Sequence, residues 1–359
     1  MNKKSRIYIA GHRGLVGSAL VRAFRDLGYT NIITRTHAEL DLTDQKDTYS
    51  FFQDNRPEYV FLAAAKVGGI LANNTYPAEF IYQNLAIQNN IIHASWKCGV
   101  KRLLFLGSSC IYPRECPQPI REEYLLTGPL EPTNRPYAIA KISGVEMCWA
   151  YNRQYGTRYL AVMPTNLYGP GDCYDLKNSH VIPAVLRKLH LAKLSRAGHL
   201  EAIRRDEAVI GPIPEDVKKA IGLSADSTRL TGDPHALFWG TGRARREFLY
   251  SEDMVDACML LVGLSDREAL GIFSEKTPPL INIGCGWDLT IRELVDLVNG
   301  VVGFEGEIRW DTGKPDGTMQ KKLDVGRLTR LGWRPQVELV EGIGRVYQDY
   351  RKSVASSGE

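Results

Sequence analysis

None of the seven cysteines (Cys98, Cys110, Cys116, Cys148, Cys173, Cys258, Cys285) forms a C-x-x-C pair. Zinc ribbons and thioredoxin-type redox centres are therefore not expected, and no metal is expected either. An odd cysteine count over 359 residues argues against a disulfide scaffold. Reduced thiols in a cytoplasmic protein are the expectation. Long apolar runs are missing. The longest, such as 59–65, fall far short of the roughly 20 residues that span a bilayer. The polar start, 1–5, has no signal-peptide core, so no membrane partner is expected. Charge of one sign is not in excess: 45 basic against 41 acidic residues leave +4. That balance removes the general electrostatic footprint of a nucleic-acid binder. Internal repeats and low-complexity segments are also lacking. What remains, 44% hydrophobic and 24% charged, is ordinary globular composition, which excludes disordered and fibrous classes. At this length two domains, or one with a large lobe, are expected.

Short apolar runs alternate with helical periodicity through the first half. Strands are predicted at 6–10, 31–34, 59–64, 102–107 and 159–163, and helices at 18–28, 43–53, 80–98 and 137–155, with Thr43 as an N-cap. That alternation predicts a Rossmann-like, doubly wound parallel sheet over 1–165, with roughly 248–285 returning to it. After Pro164 the regularity breaks. A smaller mixed α/β C-terminal substrate lobe is expected from 166–247 and 286–350. Within it, about 192–237 reads as a surface insertion with one helix, 215–221, and no evident chemistry. The tail 353–359 reads as frayed.

Gly11-His12-Arg13-Gly14-Leu15-Val16-Gly17 lies between the first strand and the first helix. This is G-x-x-G-x-x-G in the strand–turn–helix context of a dinucleotide site. The first glycine permits a tight turn, the second lets backbone approach a pyrophosphate, and the third lets helix pack on strand. The helix N-terminus then faces phosphate charge. NAD binders usually place an acid about 20 residues on. Here the second strand runs into Arg35-Thr36-His37 instead. Arg13 and Arg35, helped by His37 if protonated, suit a 2′-phosphate, so NADP(H) is favoured. Asp41, followed by Leu42, either receives the adenine amino group or serves as a helix N-terminal acid.

Tyr137-Ala138-Ile139-Ala140-Lys141 is Y-x-x-x-K, and the spacing of four puts both side chains on one helix face. A lysine cation about 4–5 Å from a phenol favours the phenolate by about 3–4 kcal/mol before desolvation offsets it. Upstream, Leu106-Gly107-Ser108-Ser109 ends the fourth strand, where such sheets bind ligands. The Ser108 hydroxyl there suits a substrate carbonyl.

Together these residues resemble the extended short-chain dehydrogenase/reductase family. The resemblance covers the whole chain apart from the insertion. It is closest in Ala63-Ala64-Ala65-Lys66-Val67-Gly68-Gly69-Ile70, Asn73-Asn74-Thr75-Tyr76-Pro77, Gly107-Ser108-Ser109-Cys110-Ile111-Tyr112-Pro113, Met163-Pro164-Thr165-Asn166-Leu167-Tyr168-Gly169-Pro170 and Asn178-Ser179-His180-Val181-Ile182-Pro183. These segments look like those of the family's epimerase–reductases. Such enzymes take GDP-4-dehydro-6-deoxy-D-mannose, invert C3 and C5, and reduce the C4 ketone with NADPH to give GDP-L-fucose.

The resemblance implies Ser108, Tyr137 and Lys141 as the reductase group, Cys110 as base and His180 as acid. Thiols and imidazoles both exchange protons near neutral pH. It implies cofactor contacts from the glycine turn, Arg35, His37, Asp41, Leu42, Ala63, Ala64, Leu106, Gly107, Ser108, Ser109, Tyr137, Lys141, Pro164, Thr165, Asn166, Leu167 and His180. Lys188, Trp239, Arg246, Asp316 and Lys321 are implied as substrate contacts. A pyrophosphate needs cations and a guanine needs a flat apolar surface, which these residue types supply. Arg243 and Arg245 stay ambiguous. The insertion separates Lys188 from Trp239 in sequence and must loop out if both face one ligand. A homodimer through the long helices at 80–98 and 137–155 is also implied. Two rivals share the motifs: an NAD-dependent nucleotide-sugar 4-epimerase, which has no need of Cys110 with His180, and a non-catalytic dinucleotide-sensing regulator.

Overall fold

Ile7–Ala10, Tyr59–Leu62, Arg102–Leu106 and Tyr159–Pro164 are buried almost from end to end, as strands covered on both faces must be. In the computed structural model, which describes residues 1–265, 267–314 and 316–356, they form the centre of a parallel sheet. Pro315 of the C-terminal loop and residues 357–359 of the tail lie outside the described residues. The chain divides into two units.

The first unit comprises Met1–Leu167, Leu249–Gly286 and Lys322–Gln336. Its six-stranded sheet runs, edge to edge, Leu280–Ile283, Tyr159–Pro164, Arg102–Leu106, Tyr59–Leu62, Ile7–Ala10 and Ile32–Ile33. Every pairing is parallel. Side chains alternate between two apolar clusters. Ile7, Ile9, Phe61 and Leu104 enter one, and Tyr8, Ala10, Leu62 and Phe105 the other. Strand order reverses between Ile7–Ala10 and Tyr59–Leu62. The carboxyl ends there form the switch point at which such sheets bind ligands.

Boundaries differ from the sequence-based expectation in informative ways. The first helix, Leu15–Asp26, starts directly after Gly14, three residues before the apolar periodicity becomes visible. The next helix, Gln45–Asn55, is capped by Asp44, which accepts from the Asp47 N–H at 2.8 Å. Thr43 is not its cap; it donates instead from both its N–H and its hydroxyl to Asp41. Asp41 is therefore not that helix's N-cap either. Lys322–Gln336 clusters with the sheet unit and not, as expected, with the lobe. The reason is a set of hydrogen bonds. Ile120 N–H reaches Lys322 O at 2.7 Å, Asp324 N–H reaches Ile120 O at 2.8 Å, and the buried Asn282 amide donates to both Ile120 O and Asp324 O.

The long helices Pro77–Lys97 and Arg135–Tyr155 lie side by side on this sheet. Gln88 stitches them by donating to Ala140 O at 2.6 Å.

The second unit comprises Tyr168–Phe248, Trp287–Lys321 and Val337–Glu359. His235–Trp239 pairs with Glu307–Asp311, and Arg245–Arg246 lies between Leu289–Thr290 and Gln320–Lys321. Helix Ile291–Val302 begins in a full capping box of Thr290 and Glu293. The 192–237 stretch is more ordered than a surface loop. It holds the end of helix Val181–Arg196, a helix Leu200–Ile210 that periodicity did not reveal, and the shorter Glu215–Ala220. Ile203 and Asp206 are fully buried in it.

Candidate active site

The glycine turn fits a dinucleotide. Gly11 has φ +83°, in the left-handed region, and a Cβ there would stand 2.6 Å from Ala64 N and 2.8 Å from Ala63 C. Gly11 thus brings the first strand against the end of the third, where Ala63 donates to Ala10 O. A Cβ on Gly17 would stand 2.1 Å from Gly11 O. It is the turn itself that closes on the third glycine. Gly14 differs. A Cβ there would meet only Gly11 O, at 3.5 Å, and Gly14 is the exposed N-cap of its helix with no side-chain cap. The open space over those helix N–H groups is what a pyrophosphate requires.

At the adenosine end, Arg13 and Arg35 are both exposed. The Arg35 guanidinium lies 5.3 Å from the Phe51 ring centroid. One acid does stand nearby, four residues after Arg35. Glu39 accepts from Thr36 N–H at 2.7 Å and from its hydroxyl at 2.8 Å. These bonds hold its carboxyl below the usual range, and the charges of Arg35 and Arg13 add to the effect. Both guanidiniums therefore project into one neighbourhood, as a 2′-phosphate site needs, and the acid there is turned back on Thr36. His37 is exposed, 3.8 Å from Asp41. Leu42 is half-buried, and its carbonyl accepts from the Asn90 amide at 2.9 Å.

The fourth strand ends at Leu106. Gly107 follows, and Ser108 caps a short 3-10 turn, Ser109–Ile111. The Ser108 hydroxyl oxygen accepts from Cys110 N–H at 3.3 Å. Ser109 and Cys110 are buried, and Ser108 is half-buried. Tyr137 lies in the first turn of its helix, edge-on to Phe80 at 6.4 Å between ring centroids. The Lys141 ammonium is 5.7 Å from the Tyr137 ring centroid and donates to Leu106 O at 2.8 Å. Cys110 is within electrostatic reach of both. Pro164 ends the neighbouring strand, Thr165 N–H continues the ladder to Ile283 O at 2.9 Å, and Asn166 and Leu167 begin the next short strand.

The charge balance reverses the expectation for this pair. Burial pushes the Tyr137 phenol far up, with the Cys110 charge adding to it. Burial pulls Lys141 down to about 8. Desolvation dominates at Lys141 because its ammonium is buried and turned onto Leu106 O, while Tyr137 beside it is half-buried. Burial therefore holds Tyr137 in its neutral, protonated form.

In the second unit, His180 precedes helix Val181–Arg196 as its N-cap residue. Its ring is 61% exposed, and its Nδ1 lies 3.1 Å from Oδ1 of a buried partner, Asp172. That contact raises the imidazole above its ordinary value, with burial opposing. The other carboxylate oxygen of Asp172 is buried without a hydrogen-bond partner among the described residues. Asp172 escapes sequence reasoning because it lies eight residues upstream in a loop, where no periodicity links the two.

Trp239 is 57% exposed at the end of its strand, with the ammoniums of Lys188 and Lys314 at 5.9 and 5.4 Å from its ring centroid. Lys188 also donates to Leu237 O at 3.1 Å. Arg246 donates to Thr318 O at 2.6 Å and Arg245 O at 2.8 Å, which fixes its guanidinium against the loop after Lys314. Asp316 latches the same loop. It accepts from Thr241 N–H at 2.6 Å and Thr241 Oγ1 at 2.7 Å, and its Oδ1 fills the space beside Gly240. Lys321 lies on the strand paired with Arg246. Arg245 is resolved as structural: it pairs with Asp288 at 3.1 Å. Arg243 is exposed.

Residues 7–274 match the NAD dependent epimerase/dehydratase family. The chain is 49% identical over 355 residues to GDP-L-fucose synthase 1 of Arabidopsis thaliana, covering 99% of this chain and 96% of that protein. It is 46% identical over 348 residues to GDP-L-fucose synthase of Escherichia coli K12, covering 96% of each. A solved structure, the GDP-mannoheptose C4 reductase MlghC of Campylobacter jejuni with NADP bound, superposes with a TM-score of 0.80 at 37% identity, over 98% of this chain and 99% of that one. The chain belongs to the NAD dependent epimerase/dehydratase family and, within it, to the GDP-L-fucose synthases.

Proposed function

We propose that the residues assembled above divide the family's two chemistries between them. The chain converts GDP-4-dehydro-6-deoxy-D-mannose to GDP-L-fucose by C3 and C5 epimerisation and C4 reduction. NADPH is its cofactor and, when bound, supplies the hydride to C4. The observation that carries the division is a buried thiol, Cys110, in the same electrostatic neighbourhood as Tyr137 and Lys141. A 4-epimerase has no use for a thiol there.

The C–H bonds at C3 and C5 are acidic because they flank the ketone. Cys110, as thiolate, takes the proton from the carbon, and the electron pair is delocalised onto the ketone oxygen. His180, protonated and oriented through Nδ1 by Asp172, returns a proton to the opposite face of the carbon. In the reduction Tyr137 donates its phenolic proton to the C4 oxygen, and Ser108 donates a hydrogen bond to the same oxygen. Lys141, anchored on Leu106 O, orients the cofactor and restores the Tyr137 proton.

Cofactor contacts fall to the backbone of Gly11, His12, Arg13, Gly14, Leu15, Val16 and Gly17 and to the side chains of Arg13 and Arg35. Trp239 presents a face for guanine, and Lys188 and Arg246 meet the pyrophosphate. Asp316 acts first as a latch on Thr241. In this reading the cofactor contacts and the sugar-reacting Ser108, Cys110 and Tyr137 belong to the first unit, and His180 and the GDP contacts to the second.

A homodimer through helices Pro77–Lys97 and Arg135–Tyr155 is supported by Tyr82, 69% exposed on the first of them. Light scattering of the purified chain tests it. The seven free thiols suit a reducing, cytoplasmic setting. Among the described residues no helix is long and apolar enough to cross a membrane. NADPH consumption with the keto sugar, with the product identified by NMR, tests the whole assignment. Reduction without inversion removes the roles of Cys110 and His180.

A further inference from the structure

We propose that the 192–237 stretch is a positioning device for Lys188, acting through the buried pair Asp206–Arg187. Arg187 and Asp206 are each 0% exposed. Arg187 Nε donates to Asp206 Oδ1 at 2.8 Å. Its other nitrogens donate to Tyr174 O at 3.1 Å and to Gly211 O at 2.6 Å. The Tyr350 hydroxyl, from the last helix, donates to Asp206 Oδ2. One guanidinium thus ties helix Val181–Arg196 to helix Leu200–Ile210, to the residue that follows that helix, and to the loop before His180.

A buried pair of this kind adds little net stability compared with well-packed apolar residues of the same volume. Its directional bonds do fix geometry. Arg187 cannot rotate without breaking several charge-assisted hydrogen bonds, so its helix cannot roll about its own axis. Lys188 is the next residue, about 100° round that helix. Its ammonium is aimed at Leu237 O and at the rings of Phe238 and Trp239, at 5.6 and 5.9 Å. The stretch acts on Lys188 a second time. Asp216 lies on helix Glu215–Ala220, which packs on the His235–Trp239 strand. Its charge favours the Lys188 cation against the burial that pulls it down. The same segment therefore holds Lys188 in direction and in charge. Asp206 touches no substrate and is a positioning residue.

This inference rests on the reading of Lys188 as a pyrophosphate contact. The test separates the two. Wild type, Asp206→Asn, Lys188→Ala and the double variant are compared for KM of the nucleotide sugar, KM of NADPH, kcat, and binding of GDP by calorimetry. Asp206→Asn is expected to raise the nucleotide-sugar KM and the GDP Kd about 5–10-fold, a coupling of ordinary size for residues joined through one hydrogen-bond network and a shared backbone element. It is expected to leave the NADPH KM and kcat within about twofold, and to have no further effect in the Lys188→Ala background. A merely structural role predicts a lower Tm with KM unchanged, and that result overturns the proposal. Equal losses of GDP affinity in both backgrounds also overturn it, because the effect then does not pass through Lys188. If Lys188→Ala alone leaves GDP binding intact, the pyrophosphate reading fails and takes the proposal with it. Should Asp206→Asn not fold, Tyr350→Phe keeps the ion pair and removes one bond. It is expected to raise KM about 2–3-fold in the parental background only, and additivity with Lys188→Ala again overturns the proposal.

Discussion

Gly14 and Gly17 lie three residues apart in one turn, and alanine at each should fail in opposite ways. A Cβ on Gly17 would stand 2.1 Å from Gly11 O, 2.7 Å from Gly11 C and 2.9 Å from His12 Cα. All three are backbone atoms, so no side chain can swing aside. Overpacking of this kind costs about 3 kcal/mol. In a unit of this size that lowers Tm by roughly 6–12 °C. Gly14 has φ −77° and ψ 170°, extended backbone open to any residue. A Cβ there meets only Gly11 O, at 3.5 Å. Gly14→Ala should therefore still fold, with Tm lowered by no more than roughly 2–4 °C, since alanine is about 1 kcal/mol worse than glycine as an N-cap. Its methyl group would occupy the space over the helix N–H groups. The NADPH Kd should rise at least about tenfold, or about 1.4 kcal/mol. Thermal melts without ligand and fluorescence titration with NADPH separate the two effects. Parental NADPH affinity in Gly14→Ala would show that the pyrophosphate does not lie on this turn. A parental Tm in Gly17→Ala would refute the close approach itself.

Three other outcomes follow from the same physics. Asp172→Asn removes the contact that raises His180. The His180 pKa should fall, so less of it is protonated at pH 7.5 and the alkaline limb of the pH–rate profile moves to lower pH, with NADPH binding unchanged; an unmoved limb, or an unmoved His180 ring resonance on NMR titration, refutes it. Cys110→Ser should bind NADPH like the parent but incorporate solvent deuterium at C3 and C5 at least about 10²-fold more slowly, and parental incorporation removes the base assignment. His190, bonded to the Tyr347 hydroxyl at 2.9 Å, is pulled down to about 4 by burial first and then by Arg351 and Lys193. The unfolded chain takes up that proton near pH 6.5, so this contribution to stability is full above about pH 6.5 and is lost as pH falls toward 4. The gap corresponds to about 3 kcal/mol, and melts of His190→Gln against wild type over that window should show a flatter acid loss in the variant.

The central strands were legible because each is buried on both faces and leaves an unbroken apolar run. The glycine turn was legible because its context is local: strand, seven residues, helix. Helix starts were not, since Leu15 follows the glycine turn and Gln45 the Asp44 cap, and periodicity marks neither. The return of Lys322–Gln336 to the sheet unit was also hidden. It is held by Ile120 backbone and a single buried asparagine, Asn282, and contacts separated by some 160 to 200 positions carry no local signal.

The larger gap concerns charge. From sequence, Lys141 is a cation set beside a phenol, and Coulomb attraction is the visible effect. In the folded unit the same closeness brings burial, and burial favours the neutral form of both partners. Tyr137 is driven up and Lys141 is brought down to about 8, so both are held toward their neutral forms. Asp206 hides for the related reason. It occupies an inward position of its helix, where periodicity expects an apolar side chain, and a carboxylate there makes the segment read as solvated. Arg187, nineteen residues earlier, and the Tyr350 hydroxyl from the last helix make that burial tolerable. Spacing reveals charges that cooperate within one helix turn. Charges that cooperate across elements become visible only when desolvation shows which of them had to be paired.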